Sequence, residues 1–433
     1  MFGSPLIYFT DAVLRGPTIG CMLMCLATAI VGVIVFLRKE SLLGESLSHA
    51  TYPGVVCGVI CLGSLAMDDS REWVFPLYVL TGAFITAFLG LGTIGFLNRR
   101  MHVRSDSALC FVLSAFFGIG ITLASYIQFT HASLYRQAMS YLYGQAATMT
   151  DAHIWIYGIL SAAVIGFVFF IRKELQLIIF DRDFAKSIGY NTKLFDTAIF
   201  LVIVLAIVIS IRSVGVVLLS AMLIAPAAAA RQFTDHMNVM FILAGFFGLL
   251  SGFAGNYFSV ELTDYFSTIF PNAKLYFPTG PMIVLAASIL CLGALLFAPK
   301  RGFLSRQWRV GRFRYQCRYE NLLISMYRMG SGDTISFEEI TKNHKAPKIY
   351  LWWMLQSLIR KGWIAQTKFN TYYLTSAGEQ RAAQIERLHR LWEVYMIHYV
   401  GLRGKGVDYS AGEMEHIITP ELEKELMQLL LKP

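Results

Sequence analysis

Charge is what this chain has least of. Asp, Glu, Lys and Arg make up 15% of its 433 residues and hydrophobic types 56%, a balance that excludes a soluble globular protein of this size. The cysteines exclude a second class. Six of the seven (Cys21, Cys25, Cys57, Cys61, Cys110, Cys291 and Cys317) lie in apolar runs, and none forms a C-x-x-C or Cys/His zinc pattern. An odd count inside membrane helices also argues against a disulfide framework. Cys21/Cys25 and Cys57/Cys61, each at i,i+4, read as small packing hydrophobes rather than soft metal ligands. Nowhere does the phosphate-cradling motif G-x-x-x-x-G-K-[ST] occur, so the chain has no ATP-hydrolysing loop of the usual kind. The stretch from Met1 to Pro17 lacks a basic start, with Arg15 just ahead of the first apolar run, so that run reads as an anchor and not a cleaved signal.

Present instead are long apolar runs up to Phe297, followed by a charged segment with few of them. That break divides the chain into two domains. A span needs ~20 apolar residues, and the candidates are 17–37, 50–66, 73–97, 107–128, 153–171, 195–211, 214–230, 237–258 and 278–298. The second, sixth and seventh are short, which leaves eight or nine spans with one re-entrant or broken.

The net charge of +9 matters less than its placement. With the amino terminus outside, the inward loops carry eleven basic residues (Arg38, Lys39, Arg99, Arg100, Arg104, Arg172, Lys173, Arg182, Lys186, Lys193 and Arg231). The outward segments carry five (Arg15, Arg71, Arg136, Arg212 and Lys274). The positive-inside rule favours this orientation. Nine spans then put everything after Ala298 in the cytoplasm, where Lys300, Arg301, Arg306, Arg309, Arg312, Arg314 and Arg318 form a basic juxtamembrane stretch, read as a lipid anchor and not a DNA contact.

At the mouth of the second run, Leu43 to Gly54 reads L-G-E-S-L-S-H-A-T-Y-P-G. Glu45 and His49 stand four residues apart, so a helix stacks them on one face. An ionisable pair at a membrane helix end marks an ion or substrate path by default, and a carboxylate with an imidazole suits a divalent first-row cation. Periodicity alone does not separate this from a satisfied core histidine beside an interface carboxylate. The wording does. G-[DE]-x-[IL]-S-H-A-x-x-P-G resembles the signature of permease subunits of manganese, zinc and iron ABC transporters, and the resemblance extends over approximately residues 10–298. It implies that Glu45, standing where Asp is more usual, and His49 line the metal path.

The longest inward loop contains F-D-R-D-F-A-K-S-I-G-Y, Phe180 to Tyr190. A short amphipathic helix there, with Ala185 and Gly189, is expected to offer a small, closely approachable surface for a partner's groove. It resembles the coupling helix by which such permeases dock on a separate ATPase, which implies a contact through Asp183, Ala185 and Gly189. Arg212 to Pro226 and Pro278 to Leu285 resemble the same family, and small residues at Ala225 to Ala230 allow close helix packing. The outward segment Phe258 to Phe277, with Glu261 and Asp264, reads as a solvated loop.

From Tyr315 the pattern becomes short amphipathic helices. One covers Cys317 to Met329, a second is opened by a Ser336 cap, and a third runs from Ala346 to Lys361 and stops at Gly362. An alternating hairpin turns at Asn370. Three helices and a hairpin make a winged helix-turn-helix whose third helix enters the major groove. Its candidate contacts are Lys348, Tyr350, Trp353, Arg360 and Lys361, while at least two of Ile349, Leu351, Trp352, Leu355 and Leu358 face the core. A winged helix that contacts protein instead of DNA remains open. The tail, L-T-S-A-G-E-Q-R-A-A-Q-I-E-R-L-H-R-L-W-E and then G-E-M-E-H-I-I-T-P-E-L, resembles metal-dependent repressors of the diphtheria-toxin-repressor and manganese-repressor family. The resemblance implies metal ligands at His389, Glu393, Glu415 and His416. Asp408 stands where iron-type members have His, and Asn321 and Gly412 also depart from the ligand pattern; the set His389, Glu393 and Asp408 still suits a hard or borderline cation, the alternative being a salt-bridged dimer face.

The expected fold is an all-α polytopic membrane domain of 8–9 transmembrane helices (1–298), a basic linker (299–314), a winged helix-turn-helix (315–375) and a helical metal-binding and dimerisation region (376–433). The two resemblances imply a permease for manganese, iron or zinc in a bacterial inner membrane, fused to a repressor for which the same divalent metal is co-repressor. They imply as partners an ABC ATPase subunit, a second permease subunit (the same chain or another), an extracytoplasmic metal-binding protein, operator DNA and a second repressor domain. The rivals are a secondary metal transporter, and a membrane-tethered metal-sensing regulator that transports nothing. Cutting within the linker, or action while tethered, would let the repressor reach DNA.

Overall fold

Apolar backbone in lipid must satisfy its own hydrogen bonds, which helices do within one segment. The computed structural model, which describes residues 4–64, 74–144, 146–149, 151–271, 275–330, 334–344, 346–367, 370–398, 421 and 423–424, divides into two units, Met1–Ser305 and Arg306–Pro433. The described residues of the first are helices joined by short connections: α1 (Ile7–Thr10), α2 (Ala12–Arg38), α3 (Ser41–Ser64), α4 (Val74–Arg100), α5 (Ser105–Thr130), α6 (Ala132–Tyr143), α7 (Asp151–Phe180), α8 (Arg182–Ser187), α9 (Thr192–Val214), α10 (Leu219–Phe233), α11 (Met237–Ile269) and α12 (Thr279–Phe297). Among them seven (α2, α4, α5, α7, α9, α11 and α12) are long and apolar enough to cross a membrane.

The other two candidate runs, 50–66 and 214–230, fall on α3 and α10. Polar residues of the Glu45/His49 stretch fill the first half of α3. The 214–230 run is interrupted by Gly215 at φ 88°, where α9 ends, leaving α10 a helix of 15 residues, about 22 Å long. The outward segment at 258–277 is not all loop, because α11 continues to Ile269 and Glu261 accepts a hydrogen bond from Tyr8 Oη at 2.8 Å. α2, capped by Asp11, lies among α7, α9, α10 and α11, and α3 packs on α4 and α5. The α3/α4 crossing is tight enough that a Cβ on Gly54 would come 2.0 Å from the Gly82 carbonyl oxygen.

The second unit is built from α13 (Phe303–Met329), β1 (Ile335–Ser336), α14 (Phe337–Asn343), α15 (Lys348–Arg360), β2 (Ile364–Gln366), β3 (Thr371–Leu374) and α16 (Ser376–His398). Ser336 and Glu339 close a reciprocal capping box at α14. The sheet is antiparallel in the order β1-β3-β2, and Asn370 turns its hairpin at φ 57°. Leu322, Leu323 and Met326 of α13, Ile340 of α14, Leu351, Leu355 and Leu358 of α15, and Tyr372 and Leu374 of β3 form its core. Residues 303–314 of the stretch read as a linker are helical.

Candidate functional site

Glu45 and His49 occupy successive turns of α3, as their spacing requires. The Glu45 side chain is half-buried and lines a groove of about 350 Å³ with Ser41 and Leu42 of its own helix, Ser220, Ala221 and Ala225 of α10, and Cys291 of α12. Small residues on α10 open this groove, and the polar start of α3 supplies its charge. His49 lies one turn deeper, 9% exposed, its ring edge-on to Phe117 with centroids 4.7 Å apart. Its Nδ1 is buried without a hydrogen-bond partner. A carboxylate at a groove and an unengaged imidazole nitrogen behind it are two donors for a divalent cation. No group of three or more His, Cys, Asp or Glu able to hold a metal occurs among the described residues.

At the α7/α9 junction, Asp181 caps α8 by accepting from Phe184 N at 2.9 Å. The expected contact surface needs correction. Ala185 is fully buried and cannot be approached, because the short helix turns that face onto its neighbours; Phe184 (51%) and Ile188 (56%) are exposed in its place. Asp183 is open to solvent and pairs with Lys186 at 3.2 Å. Gly189 has φ +98° with open space around it, a conformation that favours glycine.

Asp196, near the start of α9, accepts from Arg38 Nη1 at 3.0 Å and also pairs with Arg182 of α8, while Arg38 Nε binds Glu40 at 2.9 Å. One carboxylate thus ties α8 to the connection that leads into α3. In the sequence, Arg38 and Arg182 stand out only as topology charges. Asp196 carried no local signal.

In the second unit, α15 turns Leu351, Leu355 and Leu358 inward and exposes Ile349 (76%), Trp352 (47%) and Trp353 (55%), with Lys348 and Arg360 also exposed. Two expected DNA contacts point elsewhere. Tyr350 is held against α13 by Arg318, whose Nη1 lies 3.3 Å from its Oη, and Lys361 binds the Tyr319 hydroxyl with its ammonium 4.0 Å from that ring's centroid. Arg318 and Tyr319 of α13 capture them. His389 and Glu393 are half-buried on one face of α16, whereas Asp408, Glu415 and His416 lie outside the described residues. Glu320, 1% exposed, pairs with Arg381 at 2.9 Å, joining α13 to α16. His344 Nε2 lies 2.7 Å from Ser325 Oγ, and burial lowers its pKa from 6.5.

Comparison with known proteins adds three findings. The profile of the ABC 3 transport family matches residues 10–298, and that of the iron dependent repressor, metal binding and dimerisation domain, matches residues 375–433. A probable metal transport system membrane protein of Chlamydia trachomatis is 33% identical over 98% of this chain and 95% of its own length. The manganese transport system membrane protein MntC of Bacillus subtilis is 30% identical over 95% and 90%, and the zinc transport system membrane protein TroC of Treponema pallidum 31% over 70% and 94%. Among solved structures, PsaBC from Streptococcus pneumoniae in complex with Fab superposes with a TM-score of 0.57 at 25% identity, covering 70% of this chain and 98% of that one.

Proposed function

This chain belongs to the ABC 3 transport family, and from that premise we propose that residues 1–298 are the permease subunit of an ATP-driven importer of manganese, iron or zinc. The observation that carries the reading is the half-buried Glu45 in the α3/α10 groove with the unpartnered Nδ1 of His49 one turn deeper. Carboxylate and imidazole together suit a borderline divalent cation. Two donors leave such a cation's shell incomplete, so a second permease subunit apposed on the groove, with water, supplies the rest. An extracytoplasmic metal-binding protein delivers the ion.

ATP is hydrolysed on a separate subunit docked on α8 at Phe184 and Ile188, flanked by Asp183 and Gly189. Movement of α8 passes through Arg182, Asp196 and Arg38 to the start of α3 and so to Glu45. The chain lies in a bacterial inner membrane with its amino terminus outside and its second unit in the cytoplasm.

Residues 315–375 then serve as a winged helix and 376–433 as a metal-responsive dimerisation region, joined through the 299–314 stretch. His389 and Glu393, with Asp408, Glu415 and His416, bind incoming metal, pair two copies and favour operator DNA, which Lys348 and Arg360 contact beside Trp353. Import limits itself by this linkage. A second reading rests on the apolar face of α15: Ile349, Trp352 and Trp353 suit a protein partner better than a phosphate backbone.

Replacing Phe184 and Ile188 by Asp tests the transport reading. We expect loss of both ATPase co-purification and metal uptake. Uptake that survives in this variant refutes the docking and favours a secondary transporter, and no uptake by the wild type leaves only a tethered regulator.

A further inference from the structure

A second cavity, about 960 Å³, runs along α4 from Phe88 to Arg100, a rise of about 18 Å. Its inner length is apolar. Phe88 and Phe96 are more than half exposed, as side chains facing lipid are. Gly92 and Gly95 lie on one helix face, and a Cβ on either would meet nothing within 4 Å, so the cavity is an open trough. Its other end is cationic. Five basic side chains line it against two acids, Glu40 and Asp196. Those acids are engaged by Arg38 and Arg182, and among the described residues Arg99, Arg100 and Lys193 have no acidic partner. Beside them the Oδ1 of Asn98 is buried and accepts no hydrogen bond.

We propose that this trough is a binding site for one anionic glycerophospholipid. Arg99, Arg100 and Lys193 hold its phosphate, Asn98 Oδ1 accepts from a headgroup hydroxyl, and an acyl chain lies over Gly92 and Gly95. The gradient from cations to lipid-facing aromatics along one groove is the shape of an amphiphile. A free phosphate would leave the apolar length empty, and a helix of a second copy would bury unpaired cations. The site rests on the membrane-spanning fold and does not depend on the transport reading.

The test is native mass spectrometry of the full chain in detergent, after exchange with phosphatidylglycerol or phosphatidylcholine of matched acyl chains. One phosphatidylglycerol per chain should be retained, about tenfold or more over phosphatidylcholine. The R99Q/R100Q/K193Q variant should lose that preference. G92L/G95L keeps every charge but fills the trough, and should lose the bound lipid as well. Equal retention of the two lipids, or undiminished retention in G92L/G95L, overturns the proposal. Displacement by an equal concentration of glycerol 3-phosphate assigns the cations to a free anion and also overturns it.

Discussion

Asp196→Asn removes the one charge that ties α8, α9 and the end of α2 together, while keeping the side chain's volume. Arg38 is 11% and Asp196 17% exposed at their 3.0 Å contact, so that hydrogen bond keeps most of the strength of a charged pair, about 1.5–3 kcal/mol. Arg182 is 50% exposed, and solvent reduces its share to about 0.5 kcal/mol. Allowing for the acceptor that Asn retains, the change costs about 2 kcal/mol, a fall in melting temperature of about 3 °C for a unit this large. Arg182→Gln should cost only about 0.5 kcal/mol. The measurement is thermal unfolding of the full chain in detergent, followed by metal uptake in cells. Asp196→Asn should lower uptake and leave the groove's affinity for metal intact, since neither Glu45 nor His49 is touched. Equal melting shifts for the two variants, or a silent Asp196→Asn, would refute the argument that burial sets the strength of this link.

Further outcomes follow from the second unit. Arg381→Ala removes the cation that lies 2.9 Å from the Glu320 carboxylate at 1% exposure and should destabilise the unit by about 3 kcal/mol; the double variant Glu320→Leu, Arg381→Met should recover most of that in thermal unfolding. His344 has its pKa lowered by burial, so the unfolded chain takes up a proton that the folded unit resists. Stability should therefore fall as pH drops below about 6.5, and His344→Gln should flatten that slope in melting curves taken from pH 7 to pH 5.

Features with local causes were legible in the sequence. The apolar runs gave the membrane helices, Ser336 gave its cap, Gly362 the end of α15 and Asn370 the hairpin turn, because each is decided by residues within a few positions. Features decided by a distant neighbour were not legible. Helical spacing gives α8 two faces, but packing against the rest of the fold decides that Ala185 is the inward one. Tyr350 of α15 and Lys361 at its C-cap sit at outward-compatible positions until Arg318 and Tyr319 of α13 claim them. Arg38 and Asp196 are separated by 158 positions, beyond any periodicity. The Glu45/His49 pair was visible from its spacing, whereas the α10 wall of the groove that Glu45 faces required the fold.

If a cation meets Glu45 and His49 on its way through this chain, as proposed, uptake needs both side chains. Uptake of manganese, iron and zinc, measured for Glu45→Ala, His49→Ala and the double variant beside wild type at matched membrane abundance, tests it most directly. Each single variant should transport at least about tenfold less of the same metal, and the double variant no more than the weaker single, with ATPase co-purification unchanged throughout. Undiminished uptake by the double variant would contradict it.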